Sequence, residues 1–227
     1  MWRLGYYAEP LIASLEYQGK GRFDDPQRER TVLYGADAVS TCIYEIALPW
    51  KPHKDADYAH RTEAPESDVD HDLQQAELEQ AERERTIAMR PFRMPATLYD
   101  YSKTLIGFGE TLVVCDLDNI TVRTGLSRID PLSELMSELG VPHLDRSVLT
   151  GQGPFLKITQ ALSGYLMRNG FLGYEFPGLR ALGRHAGYCF ILFQDRYAMS
   201  PPLVPPIRLT PEDPEVIEAA ANLHLIP

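Results

Sequence analysis

The sequence predicts a single α+β domain, and three observations carry that prediction. Short β-favouring runs and helical stretches follow one another without regular strand–helix–strand alternation, which disfavours a doubly wound parallel sheet. Neither G-x-G-x-x-G nor G-x-x-x-x-G-K-[ST] occurs, so the usual phosphate loops of nucleotide-binding α/β folds are missing. The 227 residues, 44% hydrophobic and 24% charged, suit one globular unit with a sizeable core. The expected organisation is one domain over 1–227, with a polar surface insertion at 51–88 and a C-terminal extension at 201–227.

The elements follow in order. Met1 to Tyr7 reads as a short strand and Leu11 to Leu15 as a short helix. Gly19 to Gln27 carries Gly, Lys, Asp and Pro and reads as a loop. Thr31 to Tyr34 is a β-favouring run. Asp37 is placed to cap a helix over Ala38 to Leu48, which Pro49 ends. Lys51 to Arg85 interleaves acidic and basic residues with almost no large apolar side chain, as a solvated excursion does. Thr111 to Leu117 reads as a buried strand and Asp130 to Gly140 as a helix ending at glycine. Phe155 to Arg168 is amphipathic, with Ile158, Leu162, Tyr165 and Leu166 on one side. Phe171 to Phe176 and Tyr188 to Phe193 read as strands, Pro201 to Pro206 as a proline-rich connector, and Pro214 to Leu223 as a helix.

Charge and cysteine usage narrow the partners. A formal net charge of -10 repels phosphate backbones, so neither nucleic acid nor an anionic membrane is expected as a direct partner. A small anion remains compatible, because a few local arginines can hold one. Cys42, Cys115 and Cys189 sit in apolar company without metal-type spacing, so core packing is the default for each. The N-terminus has no apolar run fit for a signal peptide, and no stretch reaches the roughly 18 apolar residues of a membrane span. The expected compartment is the cytoplasm.

Three residues of the first segment are candidates for chemistry. Arg22 lies in Gly21-Arg22-Phe23, where a glycine lets the backbone approach a ligand and a guanidinium fork suits a diphosphate. Tyr34 ends a strand before Gly35-Ala36 and offers a flat face to an aromatic ring. Glu45 sits among Cys42, Ile43, Ile46, Ala47 and Leu48, apolar company in which an unpaired carboxylate is costly. Each has a plain alternative: Arg22 pairing with Asp24 or Asp25, Tyr34 as ordinary core, Glu45 reaching solvent from the helix edge. From the residues alone the segment is an anion-plus-aromatic site or three structural side chains.

Gly21-Arg22-Phe23, Val32-Leu33-Tyr34-Gly35-Ala36 and the helix carrying Glu45 together resemble the signature of RES-domain proteins, named for Arg, Glu and Ser. Arg3 in Trp2-Arg3-Leu4 resembles the arginine near the start of the family's first strand. Thr159-Gln160-Ala161-Leu162, Gly170 to Tyr174 and Cys189 to Phe193 follow the later layout more loosely. The resemblance implies the core fold of ADP-ribosylating toxins and a toxin of a toxin–antitoxin pair. It implies an enzyme that consumes NAD as substrate, by hydrolysis or phosphorolysis, or that transfers its ADP-ribose to a protein target. The implied partners are a cognate antitoxin and a target protein; no metal is implied. On this reading Glu45 is the catalytic carboxylate, Arg22 with Arg3 holds the diphosphate, and Tyr34 stacks on nicotinamide. One departure stands out. Phe176, in Gly173-Tyr174-Glu175-Phe176, falls where the family serine is expected, with Ser163 and Ser200 the nearest in sequence. Either Glu175 or Arg180 supplies a polar group there, or activity is altered; a RES-like binding module without turnover is the non-enzyme alternative.

Overall fold

The computed structural model describes residues 1–6, 11, 15, 18–47, 92–108 and 111–226. The polar insertion at 51–88 and most of the expected Leu11–Leu15 helix lie outside them. Strand β1 (Trp2–Tyr6) is followed by β2 (Val32–Ala36) and helix α1 (Val39–Ala47). A short strand β3 (Phe92–Arg93), a 3-10 turn (Ala96–Asp100) and β4 (Tyr101–Leu105) come next. Then follow β5 (Cys115–Asp116), α2 (Ile120–Leu126), α3 (Asp130–Glu138), α4 (Arg146–Thr150) and α5 (Pro154–Asn169). The chain closes with β6 (Gly178–Leu182), β7 (Tyr188–Phe193), β8 (Val204–Arg208), α6 (Pro214–Leu223) and β9 (Leu225–Ile226).

Seven strands form a mixed sheet in the order β5-β6-β7-β2-β1-β4-β8, and β3 pairs with β9 in a small second sheet. Within the large sheet only β5–β6 is parallel. The fold is therefore α+β, as the missing βαβ alternation predicts. Two large cores flank the sheet, and a third, small cluster joins Leu33, Ile106 and Leu192. Helices α2 to α5 pack on β2, β5, β6 and β7 through Leu126, Leu132, Leu149, Ile158, Leu162 and Leu166. Ile158, Leu162 and Leu166 recur every four residues, share one face of α5 and are fully buried. Each contributes about 1.5–3 kcal/mol. Helices α1 and α6 form the second core with Leu4 of β1 and Leu98, through Val39, Ile43, Val216 and Leu223.

Four expectations need correction. In the run Thr111 to Leu117 only Cys115–Asp116 form strand β5, with the Leu117 N–H continuing to the Arg180 carbonyl at 2.8 Å; β5 is an edge with one neighbour, and Val113 stands 70% exposed. Phe171 to Phe176 is a tight turn rather than a strand: Phe171 and Tyr174 exchange backbone hydrogen bonds, and Leu172 and Gly173 adopt positive φ. The proline-rich connector contains the outer strand β8; Pro205 and Pro206 fit there because an edge strand has one unpaired side. Asp37 ties α1 to β7, accepting from Thr41 Oγ1 at 2.9 Å and from the Tyr188 N–H at 3.1 Å.

The sheet has a seam. Strands β1 and β2 pair at one position, Trp2 with Ala36, and then part. In the gap, the Gln18 amide takes the place of a strand: its Oε1 accepts from the Val32 N–H at 3.1 Å and its Nε2 donates to the Val32 carbonyl at 3.4 Å. Arg3 Nη1 donates to the Tyr34 carbonyl at 2.7 Å. Buried backbone groups need partners, and here side chains supply them.

Candidate active site

A cavity of about 500 Å³ opens at this seam. That volume is in the range of small-molecule sites. Its walls come from β1 (Arg3, Leu4, Gly5), β2 (Val32, Tyr34, Gly35), the Lys20–Arg22 loop, α1 (Cys42, Glu45, Ile46) and the turn after β6 (Arg184). Cys42, Glu45 and Ile46 share a face of α1 because they are spaced i, i+3, i+4. Arg3, Arg22, Tyr34 and Glu45, all chosen from sequence, thus line one cavity.

The loop that carries Arg22 is fastened from within and from α5. Asp24 Oδ2 accepts from the N–H groups of Lys20 and Gly21, at 3.0 and 2.7 Å. Gln160 Nε2 donates to the carbonyls of Gly21 and Gly19, at 3.0 and 3.3 Å. Gly21 has no room for a side chain: a Cβ there would lie 2.7 Å from the Tyr34 hydroxyl and 2.8 Å from Asp24 Oδ1.

Arg22 is only 3% exposed. Its Nη1 donates to the carbonyls of Leu149, at 2.5 Å, and Leu182, at 3.3 Å; its Nη2 donates to Glu45 Oε2 at 2.9 Å. The arginine thus joins α4, β6 and α1, and most of its donor capacity is used inside the protein. Glu45 receives a second donor on its other oxygen, the backbone N–H of Arg184 at 2.6 Å. The Arg184 Nε lies 3.6 Å from Glu45 Oε2, ion-pair range but too long for a hydrogen bond. Glu45 keeps 23% side-chain exposure. A carboxylate held this way has a fixed direction and a free edge toward the cavity.

Tyr34 lines the cavity and packs on the α2–α5 core, and its hydroxyl accepts from the Phe23 N–H at 2.9 Å. Burial, and then the nearby Asp24 carboxylate, hold its phenol well above the usual tyrosine value. It is therefore neutral at physiological pH. Burial also raises the Cys42 thiol to about 12, and the Cys189 thiol further, so neither is a thiolate nucleophile at neutral pH.

Neither group expected to replace the serine reaches the cavity. Arg180 pairs with Asp116 at 2.9 and 3.0 Å and lies over the Tyr188 ring, 4.2 Å from its centroid. Glu175 is exposed and Phe176 packs on the α2–α5 core. No serine is among the described residues that line the cavity. The wall contains instead Arg184, which sequence reasoning missed; the Gly183-Arg184 pair repeats the Gly-Arg signal of the first loop.

Residues 1–110 match the RES domain family model. No curated protein and no solved structure matches the chain. The RES match takes in Arg3, Arg22, Tyr34 and Glu45, and stops before Leu149, Gln160, Leu182 and Arg184, which complete the cavity's support. It agrees with the family resemblance carried by the first loop, strand and helix. No helix among the described residues is long and apolar enough to cross a membrane.

Proposed function

We infer that the seam cavity binds NAD and that Glu45 promotes cleavage of the bond between nicotinamide and ribose. The observation that carries this reading is the fixed carboxylate: Glu45 is held by Arg22 and the Arg184 N–H at the wall of a ligand-sized cavity that Tyr34 also lines. When the glycosidic bond breaks, its electron pair leaves with nicotinamide and the ribose carbon becomes oxocarbenium-like. An oriented carboxylate stabilises that charge in the transition state more than in the ground state. The Tyr34 ring flanks the nicotinamide. A nucleophile then bonds to the ribose carbon and gives up a proton: water gives hydrolysis, phosphate gives phosphorolysis, and a protein side chain gives ADP-ribosylation. The toxin reading carries a cognate antitoxin protein as partner and the cytoplasm as site of action.

The test is NAD incubated with purified protein, with and without phosphate, and the products separated by chromatography. Nicotinamide released by wild type but not by Glu45→Gln supports the reading. Equal release by both, or none from folded wild type, sinks it. The second product identifies the acceptor.

A further inference from the structure

Among the described residues, four cations line the cavity (Arg3, Lys20, Arg22 and Arg184) against two carboxylates (Asp24 and Glu45). In a chain of net charge -10 this is a local reversal of sign, and it suits an anion. The four are not equivalent. Arg22 is buried and bound to Glu45 and two carbonyls. Arg3 donates to the Tyr34 carbonyl across the seam. Lys20 is an exposed residue whose backbone N–H binds Asp24. Arg184 alone combines a mostly buried guanidinium, 14% exposed, with an Nε that meets no hydrogen-bond acceptor among the described residues.

The turn that holds Arg184 is built. Gly183 N–H donates to the Gly187 carbonyl at 2.9 Å, closing it. Gly187 has φ +70°, and a Cβ there would collide with Thr41 Oγ1 and Asp37 Oδ1, so the turn sits directly on the start of α1. The His185 ring lies 4.6 Å from that of Tyr44 in α1, and Asn222 fixes the Tyr44 hydroxyl at 2.7 Å.

We propose that Arg184 is the residue that receives the diphosphate of the dinucleotide, and that Arg22 serves Glu45. The proposal rests on the NAD reading above. A guanidinium fork matches two phosphate oxygens, and a donor already withdrawn from water loses little more on binding them. The backbone N–H of the same residue stays on Glu45 Oε1, so one residue sets the distance between the anion and the reacting carbon. As the fork turns to phosphate it leaves Glu45 Oε2, and the carboxylate's negative charge faces one neighbouring cation fewer as substrate arrives.

The experiment is calorimetric titration of ADP, inorganic pyrophosphate and adenosine into wild type, Arg184→Gln, Arg184→Lys and Lys20→Gln, alongside NAD kinetics. Gln keeps the backbone N–H on Glu45, and circular dichroism checks the fold. Arg184→Gln is expected to weaken ADP and pyrophosphate by about ten- to a hundredfold, leave adenosine within twofold, and raise the NAD KM by more than kcat falls. Arg184→Lys falls between, and Lys20→Gln has the smaller effect. Unchanged ADP affinity in Arg184→Gln, equal weakening of adenosine, or a wild type that binds neither ADP nor pyrophosphate overturns the proposal. If wild type binds ADP through Arg184 yet never releases nicotinamide, the anion site stands and the cleavage reading falls. Nicotinamide release with ADP affinity untouched by Arg184→Gln gives the reverse.

Discussion

Arg22 and Glu45 are joined by a 2.9 Å ion pair that links the loop before β2 to the helix after it. The arginine continues to the carbonyls of Leu149 and Leu182, so one guanidinium fixes the carboxylate to both flanking layers. Arg22→Ala therefore leaves a largely buried carboxylate with one backbone donor and removes the guanidinium from the carbonyls of Leu149 and Leu182. Removing one partner of a buried pair costs about 3–5 kcal/mol. A lowered urea midpoint together with lost activity is the expected result; an unchanged midpoint would show that Arg22 does not brace the site.

Glu45→Gln keeps the volume but removes the charge and one of the two accepting oxygens. Nicotinamide release should fall by about 10²- to 10³-fold, the scale of losing one electrostatic contact to a transition state. The melting temperature should fall too, since one amide oxygen replaces two accepting carboxylate oxygens and the buried Arg22 loses its counter-charge. Steady-state rates and melting curves on the same preparation check both halves.

Gln18→Leu tests the seam. It strands the N–H and carbonyl of Val32 without their substitute strand, at about 1–3 kcal/mol for each buried group left unpaired. A stability loss in denaturant titration confirms the bracing role, and a neutral result removes it.

Gly187→Ala and Gly140→Ala form a matched pair, since both glycines have positive φ, +70° and +67°. At Gly140 nothing lies within 4 Å of the new Cβ, so only backbone strain is added, about 1 kcal/mol. At Gly187 the new methyl meets α1 and displaces the turn that carries Arg184. Activity should survive the first change and fall with the second.

Alkaline pH should unfold the protein early. Tyr34 and the Cys42, Cys115 and Cys189 thiols all have acidities weakened mainly by burial, with Cys42 and Cys115 near 12. A raised folded value means that the folded state retains protons the unfolded state releases. The associated stability is complete below the unfolded thiol range near 8.5, and it declines as pH rises from there toward 12. Melting temperatures at pH 8, 9 and 10 should fall in order, and the thiols should resist alkylation at pH 7 until denaturant is added.

Arg22, Tyr34 and Glu45 were legible because they fall within 24 residues, on a loop, a strand and a helix with ordinary local signals. The amphipathic face of α5 and the unbroken apolar run of β7 were legible for the same reason. Arg184 was not, because it meets Glu45 from 139 positions away. No local pattern announces that meeting; it depends on β7 lying beside β2 in the sheet. Gln18 and Gln160 act through amides on backbone groups, a use that leaves no residue-type signature. The edge strands β5 and β8 were misjudged because sequence shows apolar content but not how many neighbours a strand has.

The parting of β1 from β2 divides the sheet's backbone bonding into two ladders, β5-β6-β7-β2 and β1-β4-β8. They share one residue pair, the Arg3 side chain on the Tyr34 carbonyl, and a small apolar cluster in which Leu33 and Leu192 pack with Ile106. The seam can widen by giving up these few contacts while the backbone bonds of both ladders stay intact, so its opening free energy lies below that of global unfolding. In hydrogen–deuterium exchange, the amide of Val32 should exchange by this smaller fluctuation and gain protection when ligand fills the cleft, while amides between β2 and β7 exchange only with the whole domain. The walls of the cavity are then two mechanical bodies, and a small molecule bound between them acts as a fastener as well as a substrate.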